Sequence, residues 1–301
     1  MTTEIKSEAE DRAFKNSLFA AKEAATKANK TLPSSAGTQP QGNYGITISS
    51  QMAPLPSNGL LYEENHPLSG MTEIEVKDIT SKEENILNSD VLLKKGTFMD
   101  ELISAVVIDK SIDAMSLVSG DRMMILFAAR AGGYGDSFPQ QLTCTKCEVE
   151  SEEYFSVSEF VIKDLNLTKV NQVEPFKNLF SFTLPKTKKE VQFKFMTGYD
   201  EKEIIKQKEQ RKKKGLMLEE AVTSRLFHCV VSIDGNKDKN YIQQFVSNLP
   251  GIDSIALRKH IEECEPGVDT SKTWTCPSCG HEEVVTPPLG ISFLWPGKAV
   301  K

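Results

Sequence analysis

The sequence lacks a long apolar run. No eighteen consecutive apolar residues occur among its 301 residues, and a helix needs about that length to cross a bilayer. Residues 1–16, MTTEIKSEAEDRAFKN, carry charges where a secretory signal needs an apolar segment. These absences argue against a membrane-spanning helix and a signal peptide. We therefore expect a protein that is cytosolic when made, or packaged from a cytosol.

The sequence also lacks an excess of positive charge. It has 36 Lys and Arg against 42 Asp and Glu, a formal net charge of −6, whereas nucleic-acid binders usually present a basic face. The one strongly basic stretch, residues 206–214 (KQKEQRKKK), contains no aromatic residue and is interrupted by Glu209. We interpret it as the solvated face of a helix. A nucleic-acid patch is the alternative.

Recognisable catalytic patterns are missing too. We find no Gly-rich phosphate loop, nucleophile elbow or paired-carboxylate pattern. The segment at residues 132–135 (GGYG) follows a predicted helix rather than a strand, so it indicates a helix-stop turn. His66, His228 and His260 share no pattern. We predict that the protein is not an enzyme and assign it no catalytic residue.

Cysteine is scarce, but its placement is informative. Six cysteines are too few for a disulfide scaffold in a chain of this size, and four of them form two Cys-x-x-Cys pairs, Cys144 with Cys147 and Cys276 with Cys279. Two residues between thiolates allow one tight turn to direct both sulfurs at a single metal. Alternating residues flank each pair, which predicts two hairpins packed as a ribbon, and Gly280 suits a turn exit at positive φ.

Two explanations of these pairs compete. Each could be an independent dithiol redox motif, but two pairs with hairpin flanks and no thioredoxin-like surroundings favour one closed structural zinc site per chain. Cys229 lies on an apolar helix face and is predicted to be a small buried hydrophobe. Cys264 is a weaker alternative ligand because it has no partner at knuckle spacing. His281 is interpreted as a solvated strand residue beside the site.

Residues 1–43 are predicted to form an N-terminal arm and linker. Phe14, Leu18, Ala21 and Ala25 recur at helical spacing and form one narrow apolar stripe. Residues 31–43 are rich in Pro, Gly, Ser and Gln, which predicts a flexible linker. Such a stripe gains little from packing on itself, so we expect it to order on a partner's groove or to fold back onto its own body.

Residues 44–155 are predicted to form an α+β body that carries the first knuckle. Strands are expected at 44–50 and 73–77, and Thr80 with Glu83 forms a capping box that opens a helix. Further helices are predicted at 98–108 and 111–130. The second is very apolar and is expected to be central to the core and to stop at Gly132-Gly133.

Residues 156–271 are predicted to form an α+β insert, and 272–301 to hold the second knuckle and a C-terminal tail. Two alternating segments, 180–185 and 191–196, predict a β-hairpin. A helix follows, with Asp200 and Glu203 as its expected cap. Three more helices are predicted at 216–230, 239–248 and 253–264. The fold class is thus α+β: a mixed helical body with short β-hairpins, a split four-cysteine zinc ribbon and a flexible N-terminal helical arm.

Several segments together resemble the T4-type bacteriophage baseplate family, including its hub assembly proteins. The segments are LPSNGLLY at 55–62, IEVKDIT at 74–80, SKEENIL at 81–87, LVSGDRMMILFAARAGGYGDSF at 117–138, the first cysteine pair and, more weakly, ISFLWP at 291–296. The most specific part is Gly120-Asp121-Arg122 with the apolar helix to Arg130 and the Tyr134-Gly135 turn. Independently of the resemblance, Asp121 and Arg122 are placed at the start of the helix to cap it or to pair with neighbours. Arg130 and Tyr134 are expected to form a polar seam at its far end.

This resemblance implies a non-enzymatic tail baseplate protein or baseplate hub assembly factor of the virus, acting through protein–protein contacts. The expected partners are other phage tail and baseplate proteins, with no small-molecule substrate, nucleic acid or membrane. The expected location is the host cytoplasm during assembly, or the virion's tail baseplate. Two alternatives stay open: a zinc-ribbon nucleic-acid-binding module that uses residues 206–214, and an enzyme with a metal site.

Overall fold

The computed structural model describes residues 48–215 and 221–296. Its helices are α1 Ser81–Leu87, α2 Asp90–Lys95, α3 Phe98–Val106, α4 Ser119–Tyr134, α5 Gly198–Lys213, α6 Ala221–Cys229, α7 Lys239–Ser247, α8 Gly251–Cys264 and α9 Ile291–Leu294, with a 3₁₀ turn at Val157–Glu159. Its strands are β1 Ser50–Pro54, β2 Glu73–Lys77, β3 Ser137–Thr143, β4 Glu150–Ser156, β5 Val161–Lys163, β6 Asn171–Gln172, β7 Phe180–Thr183, β8 Glu190–Phe193, β9 Val230–Ile233, β10 Gly267–Asp269, β11 Lys272–Thr275 and β12 Glu282–Val285.

The strands form small antiparallel sheets. Four are two-stranded and pair β1 with β2, β3 with β4, β5 with β10, and β11 with β12, while β6, β7, β8 and β9 form one four-stranded sheet in that order. The predicted hairpin in the insert is confirmed by the pairing of β7 with β8. The α+β class is therefore confirmed. The division at residues 43, 155 and 271 stays a prediction.

Helix α4 lies at the centre of the core, as its apolar sequence predicts. Ten of its residues are buried, and β1, β2, β10 and α3 all pack against it. Gly120 explains one close approach, because a Cβ there would lie 2.1 Å from the carbonyl oxygen of Pro266, just before β10. Only a residue without a side chain lets the two backbones meet at this distance.

The predicted bounds of this helix are wrong at both ends. It begins at Ser119 rather than residue 111, since Asp109 and Asp113 accept backbone N–H bonds from residues two positions on and hold the preceding segment in turns. It also continues through Gly132 and Gly133, which lie against Asp78 and Ile79. Gly135, at φ +85°, is the residue that ends it.

Capping decides the starts of two other helices. The predicted box of Thr80 and Glu83 is confirmed at α1, with both reciprocal hydrogen bonds present. The predicted cap of Asp200 and Glu203 is wrong. Thr197 is the N-cap of α5, and the Asp200 side chain is its reciprocal partner. Thr197 has an extended backbone and the helix begins at the next residue, Gly198, so the cap lies three residues before the predicted one.

The remaining predicted elements differ from the structure mainly at their ends. Of the strand predicted at 44–50, residues 44–47 lie outside the described part, residues 48 and 49 are not in a strand, and β1 begins at Ser50. The helix predicted at 98–108 ends at Val106. The helix predicted at 216–230 is seen as α6, which ends at Cys229 where β9 begins; residues 216–220 lie outside the described part. Helices α7 and α8 confirm the last two helices of the insert to within two residues.

Two further predictions concern the ends of the chain and the membrane. The N-terminal arm and linker, predicted at residues 1–43, and residues 44–47 of the first strand predicted for the body lie outside the described ranges. Within those ranges, no helix has the length and hydropathy needed to cross a bilayer.

Candidate metal centre

The two Cys-x-x-Cys turns lie at the tips of two antiparallel hairpins. Strands β3 and β4 pair from Ser137 with Ser156 to Thr143 with Glu150, so Cys144 follows directly after the last pair. Strands β11 and β12 pair from Lys272 with Val285 to Thr275 with Glu282, and Cys276 follows in the same way. The predicted pair of hairpins is confirmed.

Both turns have the same backbone geometry. The Cys144 N–H donates to the carbonyl oxygen of Val149 at 3.0 Å, and the Cys276 N–H donates to that of His281 at 2.8 Å. The residue after each second cysteine has positive φ: +58° at Glu148 and +68° at Gly280. The prediction for Gly280 is confirmed. The equivalent role of Glu148 was missed, because glutamate gives no sequence signal for a left-handed conformation.

The four sulfur atoms converge at one point. The Sγ atoms of Cys144 and Cys279 are 3.7 Å apart, as are those of Cys147 and Cys276, and all four lie within 4.8 Å of one another. A tetrahedral site with metal–sulfur bonds of about 2.3 Å has sulfurs about 3.8 Å apart. A disulfide would need about 2 Å, and all four cysteines are free. The residues therefore fit a four-coordinate metal ion.

Backbone amides favour the ligating form of one thiol. Hydrogen bonds from the amides of Cys279 and Ser278 lower the pKa of Cys276 to about 7. The thiolate is the form that binds metal. The lowered pKa follows from the shape of the turn, because the residues that reverse the chain direction also point their N–H groups at the sulfur of its first cysteine. In the first turn, the Lys146 N–H lies 3.4 Å from the Cys144 sulfur.

A small apolar cluster packs against the two buried cysteines of the site. Trp274 is buried together with Cys144 and Cys276, and the half-buried Leu142 and Val285 pack against them. These side chains come from the inner faces of both hairpins, so the ribbon has a core of its own beneath the sulfurs. Cys279, by contrast, is exposed. The point where the sulfurs converge thus lies at the surface end of this cluster.

Polar contacts join the two hairpins on either side of the sulfurs. Glu283 of β12 accepts hydrogen bonds from the Thr145 hydroxyl at 2.8 Å and from its amide at 3.3 Å. Lys272 of β11 forms ion pairs with Glu153 at 3.2 Å and Glu159 at 3.5 Å. None of these contacts was predicted from the sequence. No local pattern could have indicated them, because each pair is more than a hundred positions apart in the chain.

The other cysteines and the histidines are not part of the cluster. Cys229 is buried, as predicted, and burial raises its pKa to about 12. Cys264 is also buried, and its sulfur lies 3.7 Å from the carbonyl oxygen of Lys169, so it is not the alternative ligand considered from the sequence. His281 contributes its carbonyl oxygen to the second turn. Among the described residues, no other group of three potential metal ligands converges.

Comparison with known proteins identifies the fold's family. One family model, described as T4 bacteriophage base plate protein, matches residues 61–294. The chain belongs to this family. The match spans both cysteine pairs and all elements from α1 to α9. No curated protein and no solved structure matches the chain.

The segment that most resembles this baseplate family has a structural role. Asp121 is fully buried and accepts hydrogen bonds from the amide and hydroxyl of Ser57 and from the hydroxyl of Tyr62. Arg122 pairs with Asp100 at 2.5 Å and Glu201 at 3.4 Å. The interpretation that these two residues pair with neighbours is thus supported, and α4 is joined to three separate parts of the chain.

The far end of α4 in the baseplate fold is also polar, but its two residues act separately. The buried Arg130 donates to the carbonyl oxygens of Phe293, Gly135 and Ser137. Tyr134 donates to Glu84 at 2.8 Å. Burial and this carboxylate raise the pKa of Tyr134 above its usual range. Arg130 therefore joins α9 and β3 to the helix, while Tyr134 joins α1.

Proposed function

We propose that this baseplate-family chain is a non-enzymatic tail baseplate protein or baseplate hub assembly factor, held in shape by one zinc ion on Cys144, Cys147, Cys276 and Cys279. The observation that carries the proposal is the family match over residues 61–294. The convergence of the four sulfurs supports the metal. Zinc suits an all-thiolate tetrahedral set, and such sites in proteins are structural.

The chemistry of the site favours a structural rather than a catalytic ion. Four thiolates complete a tetrahedron and leave no coordination position for water or a substrate. The ligands come from two turns separated by 128 residues, since 276 − 147 − 1 = 128. One ion would therefore hold together the start and the end of a long insertion. A fixed shape is what a protein that acts through contacts with other subunits requires.

The surface of the ribbon favours protein partners over nucleic acid. Glu150, Glu152 and Tyr154 alternate along β4 and are all exposed, and Glu282 is exposed on β12. An acidic outer face repels phosphates. We therefore prefer other tail and baseplate proteins as partners, met in the host cytoplasm during assembly. Whether the chain stays in the finished virion is part of the same test.

The test compares phage that carry a nonsense mutation in this gene with the parent phage. If the proposal is right, infection with the mutant yields tails or tail precursors that lack a complete baseplate hub, seen by electron microscopy, while heads assemble normally. Mass spectrometry of purified parent virions then shows whether the protein remains. Normal baseplates in the mutant would overturn the proposal.

A second experiment addresses the nucleic-acid alternative directly. Binding of the purified chain to duplex DNA would be measured between about 50 and 200 mM salt, a range over which phosphate contacts weaken strongly. We expect no binding at physiological salt. Tight, salt-sensitive binding that is lost on changing Lys212, Lys213 and Lys214 to Glu would show that the basic end of α5 is a nucleic-acid site. That result would support the alternative function, a zinc-ribbon nucleic-acid-binding module.

A further inference from the structure

Helix α5 ends in a dense cluster of positive charge, which we call the basic tip. It consists of residues 211–214, Arg-Lys-Lys-Lys, and Gly215 follows it. Successive helical positions are about 100° apart, so these four side chains surround the end of the helix. One cation suffices to complement the partial negative charge at a helix C-terminus, and further like charges within the same turn repel one another. The cluster therefore exceeds what the stability of α5 requires.

The basic tip projects into solvent. The N-terminal half of α5 is anchored, and the methyl groups of Ile205 lie beside Gly96. The three lysines at 212–214, by contrast, are exposed and form no hydrogen bond or ion pair within the described part of the chain. A Cβ placed at Gly215 would meet nothing within 4 Å. The charge is thus available to a partner.

The outer face of the β3–β4 hairpin has the opposite charge, and we call it the acidic face. Glu150, Glu152 and Tyr154 alternate along β4 and are exposed, with 58% of Tyr154 accessible. The β3 residues paired with them, at positions 143, 141 and 139, are Thr, Gln and Pro, so no cation on the facing strand neutralises the carboxylates. Carboxylates and an aromatic ring both attract Lys and Arg side chains.

The charges of the chain are therefore segregated. Residues 206–214 carry six cations and one carboxylate, Glu209, for a net charge of +5, whereas residues 144–154 carry four glutamates and Lys146, for a net charge of −3. A uniform surface with the chain's net charge of −6 would make copies repel one another. Complementary patches instead steer two copies into one relative orientation. Every copy carries both patches, so a second copy is a partner that fits each of them.

We propose that copies of this chain bind one another, with the basic tip of one copy on the acidic face of the next. Two copies can exchange this contact reciprocally, or it can continue in one direction around a ring. Exposed ion pairs contribute little individually, so several must act together and the association should be weak and sensitive to salt. Self-association goes beyond the proposed function and does not depend on the assignment to the hub.

Sedimentation velocity of the full-length, zinc-containing protein tests the proposal. The chain would be compared at about 50 and about 500 mM salt, between which the screening length falls from about 14 to about 4 Å. We expect the mass to rise with protein concentration at low salt and to return to that of a monomer at high salt. Lys212→Glu, Lys213→Glu and Lys214→Glu together form the tip variant. Each patch should be necessary, so this variant should associate at least tenfold more weakly.

A second variant reverses the other patch and makes the test specific. Glu150→Lys with Glu152→Lys, the face variant, should also associate at least tenfold more weakly than the parent. A mixture of the tip and face variants should associate within about threefold of the parent, because the acidic tip of one then fits the basic face of the other and the two unchanged patches still match.

A control separates the patch from net charge. Lys94→Glu, Lys95→Glu and Lys237→Glu change the charge by the same amount as the tip variant, at three lysines that are exposed and have no ion pair among the described residues. This control should associate within about twofold of the parent, since surface charges away from a contact act weakly. Thermal unfolding checks that every variant is folded.

Four results would overturn the proposal. The first is a parent chain that stays monomeric at low salt, in which case the basic tip serves a nucleic acid or another acidic protein. The second is association that persists at high salt, which would indicate an apolar interface. The third is equal weakening in the tip variant and its control, and the fourth is a mixture of tip and face variants that fails to associate.

Discussion

The hydroxyl of Thr145 lies 2.8 Å from a carboxylate oxygen of Glu283, although the two residues are 138 positions apart. Thr145 is inside the first cysteine turn and Glu283 is on the strand that follows the second. Because the same carboxylate also accepts the Thr145 amide, it holds the first turn in register with the second hairpin. The contact positions the two cysteines of one turn relative to the two cysteines of the other.

Thr145→Ala should weaken this registration without removing a ligand. A hydrogen bond to a charged group contributes about 1.5 kcal/mol, and one amide bond would remain, so we expect zinc release to a chelator to accelerate by up to about tenfold. Thr143→Ala, at an exposed threonine of β3, is the matched control and should change the rate less than twofold. Equal rates in the two variants would show that the contact does not stabilise the site.

Cys276→Ser should remove the metal and loosen the ribbon. Structural zinc contributes on the order of ten kcal/mol to folding in small zinc domains, so we expect the zinc content to fall from one per chain to near zero and the free energy of unfolding to drop by several kcal/mol. Elemental analysis and denaturant unfolding measure the two effects. Cys229→Ala, at a buried cysteine outside the cluster, should keep its zinc. A parent protein purified without chelators that contains no zinc would refute the assignment.

Gly120→Ala tests the close approach of α4 to the segment before β10. The added Cβ would lie 2.1 Å from the carbonyl oxygen of Pro266 and 2.8 Å from the Cα of Gly267. Backbone atoms must move to relieve these contacts, and we expect a loss of about 3 kcal/mol in the free energy of unfolding.

Gly251→Ala provides the comparison for this variant, because its Cβ would meet nothing within 4 Å at the start of α8. Alanine there restricts the unfolded chain and should be neutral or stabilising by up to about 1 kcal/mol. Thermal unfolding of both variants measures the difference. If the two changes had the same sign and size, helix propensity rather than packing would explain the effect at Gly120.

Asp200 should make stability depend on acid pH. Burial raises its pKa, but contacts with His228, Lys194 and the Thr197 amide outweigh burial and place the pKa well below its usual range. A carboxylate with a depressed pKa in the folded state stabilises the protein above its unfolded pKa of about 3.9, and this contribution is lost as the pH falls through the folded value.

Asp200→Asn should therefore destabilise the protein at pH 7 by roughly 2 kcal/mol, because the ion pair with Lys194 and the cap of Thr197 are weakened. The difference from the parent should shrink as the pH is lowered from about 4 toward 2. Urea unfolding at several pH values measures this trend. The control is Asp90→Asn, at an exposed aspartate of α2. It should lower the free energy of unfolding by less than about 0.5 kcal/mol at pH 7. A difference that stays constant with pH would contradict the assigned charge effect.

The sequence by itself determined the features that depend on neighbouring residues. The two cysteine spacings predicted which four sulfurs converge, because two intervening residues suffice to make a knuckle turn. The same is true of the Thr80 and Glu83 box and of the β7–β8 hairpin, whose hydrogen bonds join residues close along the chain. Local chemistry decided these features, so they could be predicted without knowing what packs on them.

Only the tertiary structure decided where elements end and which distant residues meet. Helix α4 continues through Gly132 and Gly133 because Asp78 and Ile79 pack on their bare backbone, although two glycines usually indicate a helix end. The bond from Thr145 to Glu283 follows the same principle. Its energy comes from a contact between segments far apart in sequence, and such contacts exist only after the chain has folded.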